Sequence, residues 1–169
     1  MERVLDILFG KKKKQTQEVI VAPLTGTVRT MEEVPDPVFS QKMMGDGVAI
    51  EPSEGQVVSP VEGEIISLFP TKHAIGIRSK MGVEILIHIG LETVSMNGEG
   101  FESHVKEGDK VKAGDKLITF DLELVKEKAA STITPVVITN GDLVQSMEKG
   151  TQTSVDKGQS ELLKVEVRS

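Results

Sequence analysis

Residues 82–90 read "GVEILIHIG", and how this stretch is read decides the fold. Successive side chains of a strand point to opposite faces. Val83, Ile85, Ile87 and Ile89 then share one face, β-branched throughout and suited to a core. Glu84, Leu86, His88 and Gly90 share the other. His88 therefore projects from a stiff apolar strand, on the side away from that core.

Working outward, short β-branched runs recur between Gly and Pro turn signals. "VIVAP" (19–23), "GTVRT" (26–30), "GVAIEP" (47–52), "GEIISLF" (63–69) and "AIGIRS" (74–79) are of this kind. So are "DKLITFD" (115–121), "PVVIT" (135–139) and "LLKVEV" (162–167). One stretch reads as helix, "DLELVKEKAA" at 121–130, with Asp121 as its N-cap. "TQTSVDKGQS" at 151–160 reads as a polar loop or hairpin before the last strand. Many short strands with frequent turns predict an all-β fold, an antiparallel sandwich or barrel with one or two short helices. An internal echo accompanies it: "APLTGTV" at 22–28 resembles "SPVEGEI" at 59–65, and "EGDK" returns as "AGDK" within 105–117.

Composition narrows the function. The chain has 169 residues, net charge −6, 3% aromatics and no Cys, so disulfides and thiolate-held metals are excluded. Residues 1–18 read as an appendage to a domain spanning 19–169. In its first fourteen residues Arg3 and Lys11–Lys14 oppose only Glu2 and Asp6, which leaves the domain more acidic than the whole. An acidic body poor in aromatics does not suit nucleic acid; a basic protein partner suits it better. Met1, Val4, Leu5 and Leu8 follow helical spacing ahead of the lysines, so residues 1–14 read as a membrane-surface amphipathic segment. No secretory leader or spanning run is legible, and the expected location is cytoplasmic, peripheral at the membrane's inner face.

A hairpin closed over Lys80–Met81 pairs Arg78 with Val83. That register sets His73 opposite His88 and Ile75 beside Leu86, with paired Cβ atoms roughly 4.5–5.5 Å apart. Two histidines offer a zinc ion too few ligands, and His104 in "FESHVKEGD" reads as a surface residue. There is no HExxH, no Gly-x-Ser-x-Gly elbow and no phosphate-binding GxxxxGK[ST] loop. Phosphoryl carriage on histidine, with no cofactor and no resident metal, fits the pair. A neutral imidazole is a nucleophile near pH 7, and a second one steadies the phosphoryl charge.

These residues resemble the glucose-type enzyme IIA of the bacterial phosphoenolpyruvate-dependent sugar phosphotransferase system. The likeness runs from about Val19 to Val167 through "APLTGTV", "VPDPVFSQKMMGDGVAI", "SPVEGEI", "FPTKHAIGI", "GVEILIHIGLETV", "GEGF", "VKAGD" and "STITPVVITN". The resemblance implies a β-sandwich of the duplicated-hybrid-motif type. It implies that His88 takes a phosphoryl group on Nε2 from HPr and passes it to a sugar-specific IIB domain. His73 would hydrogen-bond that group, Thr71 would orient His73, and the Gly90 carbonyl would take the Nδ1–H of His88. The docking surface it implies comprises Val38, Phe39, Met43, Met44, Phe69, Leu86 and Val94, flanked by Asp36 and Glu92. Regulatory target proteins are further expected partners. Two alternatives stand beside it: a lipoyl- or biotinyl-type carrier modified at the hairpin tip on Lys80, and a zinc hydrolase of related fold.

Overall fold

In the computed structural model, which describes residues 16–168, every strand pairing is antiparallel. The amphipathic reading of residues 1–14 lies outside the described residues. An eight-stranded sheet dominates. Its central strands are β3 (Asp46–Pro52), β11 (Thr134–Ile138), β7 (Glu84–His88) and β6 (Ala74–Ser79), in that order. On one side it continues through β2 (Gly26–Thr30) to β13 (Ser154–Val155), on the other through β5 (Gly63–Leu68) to β9 (Lys110–Val111). Two three-stranded sheets complete the sandwich. One orders β1 (Gln17–Val21), β14 (Glu161–Val167) and β12 (Val144–Lys149); the other orders β4 (Gln56–Val58), β10 (Lys116–Phe120) and β8 (Phe101–Ser103).

The alternation of residues 83–90 is realised. Ile85 and Ile87 pair with Ile77 and Ile75 of β6 and with Ile138 and Val136 of β11, and all are buried in the main core. The opposite face carries a second, smaller core. Short helix α1 (Pro37–Ser40) and the turn before it bring Met31, Val34 and Phe39 onto Ala49, Val137, Leu91 and Ile133. His88 lies on this second side. Helix α2 (Leu122–Lys128) starts as the sequence indicates, with the Asp121 side chain accepting from Leu124 N at 3.1 Å.

The internal echo is a structural duplication. Val21 N donates to Pro60 O at 3.0 Å, and Val58 N returns the bond to Pro23 O at 2.9 Å. Ala22 N bonds Ser160 O just as Ser59 N bonds Asp115 O, both at 2.8 Å. Strand β2 pairs with β13 as β5 pairs with β9. The shared glycines explain the shared motif. A Cβ on Gly26 would lie 2.0 Å from Glu51 O, and one on Gly63 would lie 2.1 Å from Arg78 O.

The hairpin register differs from the sequence expectation by one residue. The loop has three residues, Lys80 to Gly82: Ser79 N donates to Val83 O at 2.8 Å and Gly82 N to Ser79 O at 2.9 Å. Gly82 takes a positive φ of 95°, and the Ser79 hydroxyl accepts Val83 N at 3.0 Å. Three-residue hairpin loops end in such a left-handed residue. His88 therefore faces Ala74, Leu86 faces Gly76, and Ile75 belongs to the main core.

Gly63→Ala is expected to destabilise the fold by at least about 2 kcal/mol, because the clash is with backbone. Gly108→Ala meets nothing within 4 Å and should cost only left-handed strain, about 1 kcal/mol. Urea melts of the two variants make the comparison.

Candidate active site

Two chain reversals bring the histidines together. Before β6, Lys72 N donates to Phe69 O at 2.7 Å, and Lys72 adopts a left-handed φ of 60°. This kink interrupts the strand alternation immediately ahead of His73. The His73 carbonyl accepts Ile89 N at 2.7 Å, yet its ring lies against His88, with centroids 4.9 Å apart and planes at 81°. The pair thus forms although the two residues are not cross-strand partners. Beyond β7, Gly90 turns the chain at φ 71°, where a Cβ would lie 2.8 Å from both Ser131 O and Thr93 Cγ2.

Each ring has a defined partner on Nδ1. His88 Nδ1 lies 2.8 Å from Gly90 O, and since a carbonyl only accepts, Nδ1 carries the proton. The lone pair of a neutral His88 is then on Nε2. His73 Nδ1 lies 2.6 Å from Thr71 Oγ1. Burial, and to a lesser extent the neighbouring His88, push the His73 pKa down to about 4. Burial also pulls His88 below its ordinary value, opposed by the Gly90 carbonyl and the Asp36 carboxylate. Both imidazoles are neutral near pH 7.

Around them the remaining sequence-expected residues separate into surface and support. Val38, Met43, Met44, Phe69 and Val94 are exposed, Met43 and Val94 most of all at 69% and 56%. Phe39 and Leu86 are buried, so these two back the site instead of forming its surface. Phe39 packs on His88 with centroids 5.2 Å apart, and Phe69 meets His73 edge-on at 5.4 Å. Asp36 caps α1, its side chain accepting Val38 N at 3.0 Å, and exposed Glu92 takes a left-handed φ of 61°. Exposed His104 instead engages Thr119 Oγ1 at 3.0 Å. Thr93, buried completely, donates to Ile89 O at 2.7 Å beside the Gly90 turn. The sequence gives no sign of it, because a threonine in "GLETV" has no motif to mark it.

The site is open. Cavities of about 190, 210 and 400 Å³ lie elsewhere, lined for example by Arg78 and Lys110, by Thr151 and Leu163, and by Phe101 and Phe120. A small-molecule enzyme encloses its substrate, whereas an exposed apolar patch suits a protein partner. Among the described residues no group of three or more His, Cys, Asp or Glu could hold a metal ion. Nor is any helix among them long and apolar enough to cross a membrane.

Residues 18–144 match the family described as phosphoenolpyruvate-dependent sugar phosphotransferase system, EIIA 1. The glucose-specific EIIA component of Bacillus cereus is 64% identical over 161 residues, covering 95% of this chain and 98% of that protein. The corresponding component of Staphylococcus epidermidis is 49% identical, over 95% of this chain and 97% of its own. The solved glucose permease IIA of Mycoplasma capricolum superimposes with a TM-score of 0.83 at 44% identity, over 88% of this chain and 96% of that one. The chain belongs to the EIIA family. EIIA domains are phosphotransferase components that carry a phosphoryl group between HPr and IIB through a phosphohistidine, and this chain is such a carrier. The swinging-arm and zinc-hydrolase alternatives fall with that membership; Lys80 itself pairs with Glu62 at 3.6 Å.

The buried, neutral His73 gives this EIIA domain a pH signature. Its folded pKa of about 4 lies below the unfolded value near 6.5, so the unfolded chain binds more protons between those limits. Stability is full above pH 6.5 and declines as pH falls towards 4, by on the order of 3 kcal/mol from this group. His73→Gln should flatten that part of a stability-against-pH curve measured by urea melts.

Proposed function

We propose that His88 is the phosphorylated residue of this carrier and that His73 steadies the group it carries. The observation that carries this reading is the Nδ1-to-Gly90 hydrogen bond, which leaves Nε2 as the nucleophile. Nε2 attacks the phosphorus of phosphorylated HPr in line. As the new N–P bond forms, the N–P bond to the HPr histidine breaks, and that ring leaves with the electron pair. The reverse exchange hands the group to a nucleophile on IIB.

His73 complements the charge that moves. A Thr71 hydroxyl donating to His73 Nδ1 holds the tautomer with its proton on Nε2, where it can donate to a phosphoryl oxygen. A neutral donor steadies the group without the deep well that a fixed positive charge would supply, so onward transfer stays accessible. The exposed methionines suit the next step. Their side chains adapt in shape, which serves a surface that must receive HPr and IIB in turn.

His88→Ala should lose phosphoryl acceptance from phospho-HPr by about a thousandfold or more. Labelling of that variant to the wild-type level overturns the assignment. His73→Gln should still accept, while onward transfer to IIB falls about a hundredfold for loss of one aligned donor. Radiolabelled transfer in both directions reads the two steps separately.

A further inference from the structure

We propose that Thr93 is a positioning residue for His88, acting through the Ile89–Gly90 peptide. The proposal rests on the reading of Nε2 of His88 as the nucleophile. The Gly90 carbonyl can hold the Nδ1 proton only if the turn from Ile89 to Leu91 is fixed, and its fixings can be traced. Ile89 N is held by His73 O at 2.7 Å, and Leu91 N by Ser131 O at 2.9 Å. Between them, Ile89 O is held by the Thr93 hydroxyl at 2.7 Å. That is the one side-chain hydrogen bond in the set, so it is the one substitution can remove. The Thr93 methyl has a second effect: lying 2.8 Å from where a Gly90 Cβ would be, it helps confine position 90 to glycine at φ 71°.

Thr93 is completely buried, so no water replaces its hydroxyl when it is lost. The Ile89 carbonyl then turns to find another donor, and the next peptide turns with it. Gly90 O moves off the Nδ1 axis, and Nδ1–H ceases to be the favoured tautomer. A share of His88 then carries its proton on Nε2, the nitrogen that must be free to attack. Thr93 makes no contact with the phosphoryl group in this account; it decides which nitrogen is available.

The test compares Thr93→Val, which keeps the shape and removes the hydroxyl, with Thr93→Ser, which keeps the hydroxyl and removes the methyl. Nitrogen-15 NMR of the unphosphorylated protein reads the His88 tautomer and its titration without any transfer assay. In Thr93→Val the Nε2–H tautomer should rise and the titration midpoint should move lower, since a carbonyl that favours the protonated ring is displaced. Acceptance from phospho-HPr should fall roughly tenfold. Thr93→Ser should keep the wild-type tautomer and rate. A folded Thr93→Val with wild-type tautomer and titration overturns the proposal, whatever its stability. So does a Thr93→Ser protein as disturbed as any Thr93→Val protein, because the methyl would then be the positioning group. Should Thr93→Val fail to fold, Thr93→Ala takes its place beside Thr93→Ser, and a folded Thr93→Ala with wild-type tautomer and titration overturns the proposal. Loss of transfer in His88→Ala is a separate result, so failure of the phosphorylation reading and failure of this proposal are distinguishable.

Discussion

An imidazole has two nitrogens, and the hydrogen bond from His88 Nδ1 to Gly90 O decides between them. Much of the local structure exists to keep that bond in place. The carbonyl is supplied two residues after the histidine, which demands a sharp turn directly out of a strand. Only glycine fits it, at φ 71° and with Ser131 O and Thr93 Cγ2 in the way of any Cβ. The strand must itself be immobile, and β7 is, paired on both sides by β6 and β11.

The two cores set the chemistry of the rings above them. The main core anchors β7 through its isoleucines, while the smaller one brings Phe39 against His88. Burial there holds the pKa of both histidines below its ordinary value, which keeps both rings neutral near pH 7. The duplicated turns at Pro23 and Pro60 tie the two halves together by reciprocal backbone bonds. The exposed side chains beside this framework include Met43 and Met44, whose unbranched thioethers adapt in shape.

Much of this was legible in the sequence, for a physical reason. Period-two alternation in "GVEILIHIG" reports the faces of β7 directly, and Asp121 announces α2. The "APLTG" and "SPVEG" echo is legible because close backbone approach admits only glycine. The hairpin register was not legible. Loop length rests on Gly82 and the Ser79 side chain, and a two-residue loop fits the same letters. The pairing of the histidines nevertheless holds, through a kink at Lys72 that alternation does not foresee. Phe39 and Leu86 belong to the docking surface that the resemblance implies, and tertiary packing, which no local pattern reports, buries them. Strand β12 has no apolar stripe to report, being an exposed edge.

The most direct measurement is nitrogen-15 and phosphorus-31 NMR of the chain phosphorylated through HPr. The expected result is a single phosphoryl group bonded to Nε2 of His88, with Nδ1 still protonated. A group on Nδ1 of His88, or on His73, would contradict it.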